Sequence, residues 1–404
     1  MNRKMYSLGV GRSVIREIFE YAKVRKAEIG EGNVFDFSIG NPSVPAPELV
    51  RDTLSDILKN TDPVLLHGYT SAQGDASVRA AISDFIEKEY NTGIEPVSSP
   101  SLIYMTSGAA AALTCTLTAL LEKDDEVIVL APFFPEYRVF VERTGAKLVT
   151  VLCDEDSMRP RFDRIEAAIN EKTAAIIINS PNNPTGVVYP EEDIKKLSEL
   201  LERLSGKYGR PIYLIADEPY RELVYGGAFV PYISNYFRIT VVCYSLSKSV
   251  SLPGERIGYV SVSPRADMAN ELYLAVCGAG RALGFVCATS LFQFAFPYLI
   301  GKTSDISGYE RNRDILCSAL RSYGYKTAKP DGAFYLFVKA LEHDAKAFCE
   351  KAKQFELLLV PSDSFGCEGY VRIAYCVSEE QIKKSLPAFK ALAELYEVKR
   401  NERT

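Results

Sequence analysis

The chain has 404 residues, 47% of them hydrophobic and 25% charged, with a formal net charge of −5. That length supports a large core, most simply in two domains, and a charge spread evenly along the chain excludes an extended nucleic-acid surface or a basic membrane face. The N-terminus, MNRKMYSLGVGRSVIREIF, has no apolar core of a secretory signal, and runs such as EVIVLAPFF are too short to span a bilayer, so the sequence reads as cytoplasmic.

In chain order, Ile15, Ile18, Phe19 and Ala22 recur at helical spacing and predict a helix from about Ser13 to Ala27, stopped by Gly30. The basic run KVRK at 23–26 reads as its solvated face. A second helix is expected from near Asp75, carrying Val78, Ala81, Ile82 and Phe85. Seven short apolar runs then alternate with helical patterns: SLIYMT, DEVIVLA, KLVTVL, AAIIINS, IYLIAD, TVVCYS and GYVSVS. Runs without strict alternation predict strands buried on both faces, as in a mainly parallel α/β sheet, whose ligands sit at the carboxyl ends of the strands. Beyond about residue 290 a long helical stretch, SDISGYERNRDILCSALRSYG, leads into GAFYLFVKAL and YVRIAYCVS. This predicts a smaller α+β domain with the N-terminal segment packed on it. Nine cysteines without a C-x-x-C pair read as free thiols, and two distant histidines, His67 and His343, argue against a metal site or a histidine-based triad.

The ends of four runs carry chemistry. After SLIYMT, Ser107 and Gly108 open an alanine-rich helix whose free N–H groups suit a phosphate, although small residues there also let helix and strand pack closely. AAIIINS leads into PNNPTG, a fixed loop in which Asn183 offers an amide. IYLIAD closes on Asp217, a desolvated acid that calls for a cationic partner or else caps a helix. TVVCYS runs into SLSKSVSLPGERIGY, where Ser245 and Ser247 flank Lys248 and Arg256 follows a Pro-Gly turn; a surface lysine and a structural ion pair are the plainer readings. An anion cradle, an amide, a buried acid and one amine at adjacent strand ends match pyridoxal 5′-phosphate, which has a phosphate, a phenolic oxygen, a pyridine nitrogen and an aldehyde.

With SIGNP (38–42), GYTSAQG (68–74), TSGAA (106–110), PFFPEY (132–137), NSPNNPTG (179–186), ADEPY (216–220), SLSK with ERIGY (245–259) and GYVRIAY (369–375), the chain resembles the class I/II aminotransferases, which have the type I fold of pyridoxal-phosphate enzymes. The resemblance implies a seven-stranded sheet in a large cofactor-binding domain at 46–292, and a small domain from 1–45 and 293–404. It implies that Lys248 takes the cofactor's aldehyde, Asp217 pairs with the ring nitrogen, Tyr220 and Asn183 bind the phenolic oxygen, and Phe134 stacks on the ring. Gly108, Ala109, Ser245, Ser247 and Arg256 would hold the phosphate, and Tyr69 would reach the phosphate of a neighbouring subunit in a homodimer with shared sites. Arg372 would clamp the substrate α-carboxylate with Asn183 and the backbone at Gly40.

The activity so implied is transfer of an amino group from an L-amino acid to a 2-oxo acid by a ping-pong route, with Lys248, Asp217 and Tyr220 as the catalytic set. An aspartate-like donor is the first expectation: Arg281, in a stretch where some members of the family place a specificity residue from the other subunit, or alternatively Arg12 or Ser13, could meet a second carboxylate; an aromatic or small aliphatic donor is the alternative, given the cluster Phe133, Phe134 and Tyr137. A C–S β-lyase of the cystathionine or cysteine type uses the same residues and is the runner-up. A non-catalytic, aminotransferase-like regulatory domain fits less well, since both Lys248 and Asp217 are present and only one helix precedes SIGNP. The alanines of TSGAAAAL stand where relatives often place a hydroxyl or amide, which leaves phosphate binding there to the backbone. Ala131–Pro132 and Asn183–Pro184 are the expected cis peptide bonds.

Overall fold

The computed structural model of the chain describes residues 1–11 and 14–401. All seven apolar runs form strands: β1 (Ile103–Thr106), β2 (Glu126–Ala131), β3 (Lys147–Leu152), β4 (Thr173–Asn179), β5 (Tyr213–Asp217), β6 (Thr240–Ser245) and β7 (Gly258–Val262). They make one sheet in the order β1-β7-β6-β5-β4-β2-β3. Only β7 is antiparallel to its neighbours, β1 and β6. The inner strands are buried along both faces, as unbroken β-branched runs require. The edge strand β3 departs from that expectation: Lys147, Thr150 and Leu152 are exposed, because β3 has a neighbour on one side only.

Sheet topology places the chemistry. The carboxyl ends of β4, β5 and β6 lie side by side, with Asn179 in register with Asp217 and Asp217 with Cys243. Because β7 runs the opposite way, its first residue, Gly258, meets both Ser245 at the end of β6 and Thr106 at the end of β1. A Cβ on Gly258 would stand 2.2 Å from the Tyr244 carbonyl oxygen, so only glycine lets these ends close up.

A second, smaller sheet holds β8 (Tyr335–Lys339), β9 (Val360–Pro361) and β10 (Tyr370–Ala374), antiparallel in the order β9-β10-β8. Helices Ser307–Ser322, Ala345–Lys353 and Glu379–Asn401 surround a core that includes Phe334, Leu336, Phe348 and Phe389. The N-terminal segment joins this core. Phe35 and Asp36 pair in parallel with Leu357 and Leu358, and the Ala374 amide donates to the Phe37 carbonyl at 3.0 Å. That course carries Ser38, Ile39 and Gly40 to the ends of the large sheet. The domain boundary expected at 292–293 falls inside helix Ser290–Leu299, whose buried Gln293 accepts from the Asp75 amide at 2.9 Å.

The N-terminal helix runs Val14–Ile29 and stops at Gly30, φ +92°; a further helix, Arg3–Val10, is one the sequence patterning does not announce. Of the expected apolar stripe on Val14–Ile29, Ile18 and Ala22 are buried, while Phe19 is exposed. KVRK is more than a solvated face. Arg25 pairs with Glu356, and the Lys26 Nζ lies 2.9 Å from Asp36 Oδ2, so two of its cations tie the helix to the small-sheet side. The second helix, Ala76–Glu89, begins as expected, with the Asp75 carboxylate accepting from the Ser77 and Val78 amides and Val78, Ile82 and Ile86 inward. Ala131–Pro132 and Asn183–Pro184 are both cis, as is Ser180–Pro181.

Candidate active site

A cavity of about 310 Å³ opens at the joined strand ends, between the two sheets. Asp217, Tyr220, Ser245, Ser247, Lys248 and Arg256 line it from the β5 and β6 ends. Ala109, Phe134 and Asn183 line it from the turns after β1, β2 and β4, and Gly40 and Arg372 from the small-sheet side. Gly108, φ +85°, caps helix Ala109–Leu120 with no side-chain bond, and a Cβ there would come 2.9 Å from Arg256 Nη2. The helix therefore presents uncapped N–H groups beside a guanidinium. Arg256 donates to the Pro253 carbonyl at 2.9 Å and the Ser107 carbonyl at 3.4 Å.

Asp217 is 5% exposed. Its Oδ2 accepts from the Tyr137 hydroxyl at 2.5 Å, and its Oδ1 is buried without a partner among the described residues. Burial pushes this carboxyl up to about 7; Tyr137 opposes the rise and the neighbouring Glu218 adds to it. Among the described residues no cation meets Asp217; a phenol, that of Tyr137, does. Behind it, the Asn179 amide donates to the Asp217 carbonyl at 2.8 Å and its oxygen accepts from the Asn183 N–H at 2.7 Å, tying two adjacent loops together.

Lys248 is half-buried, with its Nζ donating to the Gly40 carbonyl at 2.7 Å and lying 5.5 Å from the Phe334 ring centre. Burial lowers the amine to about 8, and the charges of Arg372 and Arg256 act in the same direction, against Cys376. Arg372 is 3% exposed and holds the Ser38 carbonyl at 2.5 Å and Asn183 Oδ1 at 3.3 Å. Its guanidinium lies between the rings of Tyr335 and Phe365, 4.8 and 5.2 Å from their centres. Among the described residues no carboxylate pairs with it and its Nε has no partner; burial holds its pKa below the ordinary arginine value.

Two residues expected to act on a neighbouring subunit, Tyr69 and Arg281, do not line this chain's own cavity. Tyr69 is 98% exposed, outside the cavity. Arg281, in the last turn of helix Ala269–Ala282, is exposed, because that helix turns Val276 and Ala279 inward against helix Ala109–Leu120. Arg12 and Ser13 fall outside the described residues. Sequence reasoning missed Tyr335 and Asn179, both of which line the cavity, and Tyr137, which it saw only as part of an aromatic cluster. Tyr335 Oη lies 3.0 Å from Tyr220 Oη, and a Cβ on Gly40 would reach within 1.9 Å of the same Tyr335 oxygen. GAFYLFV is apolar throughout and buried along both faces, so its pattern carries no signal of what Tyr335 would face.

This geometry agrees with what comparison finds. The model of the family "Aminotransferase class I and II" matches residues 32–389. The chain belongs to the class I and II aminotransferases. It is 28% identical to the aspartate aminotransferase of Thermotoga maritima over 391 residues, 96% of this chain and 97% of that one. It is 30% identical to a probable aspartate/prephenate aminotransferase of Aquifex aeolicus, over 92% and 94% of the two chains. Among solved structures, an aminotransferase from Eubacterium rectale superposes with a TM-score of 0.95 at 55% identity, covering 98% of this chain and 99% of that one. As in those relatives, this aminotransferase has the α/β architecture with a seven-stranded mixed sheet and a smaller one. No helix among its described residues is long and apolar enough to cross a membrane.

The Gly40 contact gives a test of the site's packing. Gly40→Ala must displace the rigid, buried Tyr335 ring and its contact with Tyr220. The expected loss is about 1–3 kcal/mol of stability, read by denaturant unfolding. An unchanged midpoint would show that the loop yields instead.

Proposed function

We propose that this aminotransferase uses pyridoxal 5′-phosphate and moves an amino group from an L-amino acid to a 2-oxo acid by a ping-pong route. The observation that carries the reading is the orphaned Asp217 Oδ1: a buried carboxylate oxygen with no partner among the described residues, on the wall of the cavity that holds Lys248. A protonated pyridine nitrogen is the partner such an oxygen lacks. The uncapped helix at Ala109, with Ser245, Ser247 and Arg256 beside it, has the donors a phosphate needs. Tyr220 and Asn183 would hold the phenolic oxygen, and Phe134 the ring face.

When bound, the cofactor supplies an aldehyde that condenses with the donor's amine and a cationic ring that draws electron density from Cα. The chain's own residues do the rest. Lys248, brought down to about 8 by burial, releases its proton readily and in its neutral form takes the Cα proton of the donor. Arg372 grips the α-carboxylate with charge-assisted bonds, held in place by Asn183, Ser38 and two aromatic faces. The loss of ordinary hydration around Arg372 strengthens that grip. Arg372→Lys removes the planar fork, so the KM for the amino acid should rise about tenfold to a hundredfold, with cofactor retention unchanged. Steady-state kinetics beside the cofactor's absorbance checks both.

We also propose a homodimer in which Tyr69 meets the phosphate of the neighbouring subunit, and the two-domain division at 46–292 against 1–45 and 293–404. A fully exposed tyrosine in a glycine-bounded loop supports the first, and the separate core around Phe334, Phe348 and Phe389 the second. The aspartate-like donor rests on Arg281 and Arg12. Both curated relatives named above carry aspartate in their names, and Arg281, which does not line the cavity of its own chain, would act in the site of a neighbouring subunit. The activity test adds single amino acids to the holoenzyme. Loss of the cofactor's colour with one equivalent of keto acid, reversed by a second keto acid, supports transfer. Continuous release of pyruvate and ammonia from cysteine or cystathionine would instead make the enzyme a β-lyase.

A further inference from the structure

We propose that Tyr335 is a positioning residue for the cofactor: its hydroxyl donates to Tyr220 and thereby turns the Tyr220 hydrogen toward the phenolic oxygen of pyridoxal phosphate. This rests on the reading of the cavity as a pyridoxal-phosphate site with Tyr220 at that oxygen. Both tyrosines line the cavity and are buried, and their hydroxyl oxygens lie 3.0 Å apart. Their rings meet edge to face, with 5.8 Å between centres and 82° between planes. Tyr335 begins β8 of the small sheet, and Tyr220 follows β5 of the large one, so the bond joins the two sheets across the site.

The packing around Tyr335 fixes where its hydroxyl points. It stands opposite Ala374 in the small sheet, which puts it diagonally beside Arg372 on one face. The Arg372 guanidinium lies 4.8 Å from its ring centre, and the Phe334 ring 4.9 Å. Gly40 walls the hydroxyl itself, since a Cβ there would come within 1.9 Å of the oxygen. At 3.0 Å either hydroxyl could donate to the other. The cofactor removes the ambiguity. Its ionised phenolic oxygen can only accept, so Tyr220 must spend its one hydrogen there and accept from Tyr335. Both hydroxyls keep that hydrogen at any working pH: burial raises Tyr220 well above the ordinary tyrosine value and Tyr335 to about 12.

Hydrogen bonds in a chain polarise one another, each strengthening the next by about 10–30%. Donation to the phenolic oxygen favours the form of the cofactor in which that oxygen carries its negative charge unshared with a proton. The two tyrosines in series therefore lower the pH at which the bound cofactor gives up its proton to water. The Arg372 charge beside the Tyr335 ring makes its hydroxyl the better donor, which works in the same direction. A Tyr335 that only filled space beside Gly40 would do so without its oxygen and would leave that pH where it is.

The test is a pH titration of the bound cofactor's visible absorbance, without substrate, in the parent holoenzyme, Tyr335→Phe, Tyr220→Phe and the double variant. Tyr335→Phe keeps the ring against Arg372 and removes only the oxygen. Tyr220→Phe should raise the midpoint by about 1–2 pH units, the loss of one charge-assisted hydrogen bond. Tyr335→Phe should raise it by about 0.2–0.5 unit, the share that a linked bond contributes. The double variant should match Tyr220→Phe alone, because Tyr335 acts only through Tyr220. The KM for the amino acid should stay at the parent value in Tyr335→Phe. If that variant does not fold, 3-fluorotyrosine in place of Tyr335, with the more acidic hydroxyl, should move the midpoint down instead. An unchanged midpoint in the Tyr335 proteins, or a double variant displaced by the sum of the single shifts, would overturn the proposal and leave the cofactor reading standing. A parent protein that takes up no pyridoxal phosphate would overturn both.

Discussion

Replacing Lys248 with alanine is expected to lower amino-group transfer by about 10⁴-fold, the upper range for removing a positioned proton carrier, with the covalent attachment of the cofactor lost besides. The fold should survive. Among the described residues the Lys248 side chain makes one hydrogen bond, to the Gly40 carbonyl, and no ion pair. Its amine is moreover a burden on the cofactor-free chain. The folded value of about 8 lies below the ordinary 10.5, so charge on this amine opposes folding at pH below about 8, and the penalty is relieved as pH climbs through that value toward 10.5. The cofactor-free variant should therefore match or exceed the parent in melting temperature at neutral pH. Rapid-quench assays of keto acid formation, beside melting curves, separate a lost reactive group from a lost fold. A variant that transfers amino groups at the parent rate would remove Lys248 from the chemistry.

Asp217→Asn should slow the reaction by about 10²- to 10³-fold, the range for removing one preorganised charge from a dry site, while substrate binding changes little. Asparagine keeps the shape and the Tyr137 contact but cannot hold a ring nitrogen in its protonated state. The same change should stabilise the cofactor-free protein. Between its ordinary value of 3.8 and about 7, the folded chain keeps a proton on Asp217 that the unfolded chain releases. Stability therefore falls as pH rises through this window and stays lowered above it. Asparagine removes that slope, so the variant's advantage should grow from pH 4 to pH 7 and then level off. Melting temperatures across pH 4–9, with and without pyridoxal phosphate, read it directly. Parallel curves for the two proteins would mean that Asp217 is not the buried charge described. The pairing of slower catalysis with a firmer empty protein is what a site built for a cofactor predicts.

Much of this molecule is legible before any coordinate. Strands β1 to β7 announce themselves because a strand between two layers must be apolar on both faces, and such runs are short and bounded by turns. Asp217, Ser245 and Lys248 stand out because each is a polar residue placed where one of those runs stops. Edge strand β3 misleads the same rule: KLVTVL has an interior composition and an exposed face, since one-sided pairing leaves no local mark. KVRK misleads in the other direction. A charge run gives no hint of partners such as Glu356, which lies 331 positions from Arg25.

What the sequence determined alone is the set of strands, the turns at their ends and the identity of the groups those turns carry, because these follow from local burial pattern and backbone chemistry. The resemblance to a family already grouped Arg372 with Gly40; only the tertiary structure decided that Tyr335 packs against Gly40 and Arg372, that Tyr137 rather than a cation meets Asp217 among the described residues, and that β3 lies at an edge. Those outcomes depend on strand order and on which faces pack together, and both are set by the sum of many distant contacts that no single stretch of residues encodes.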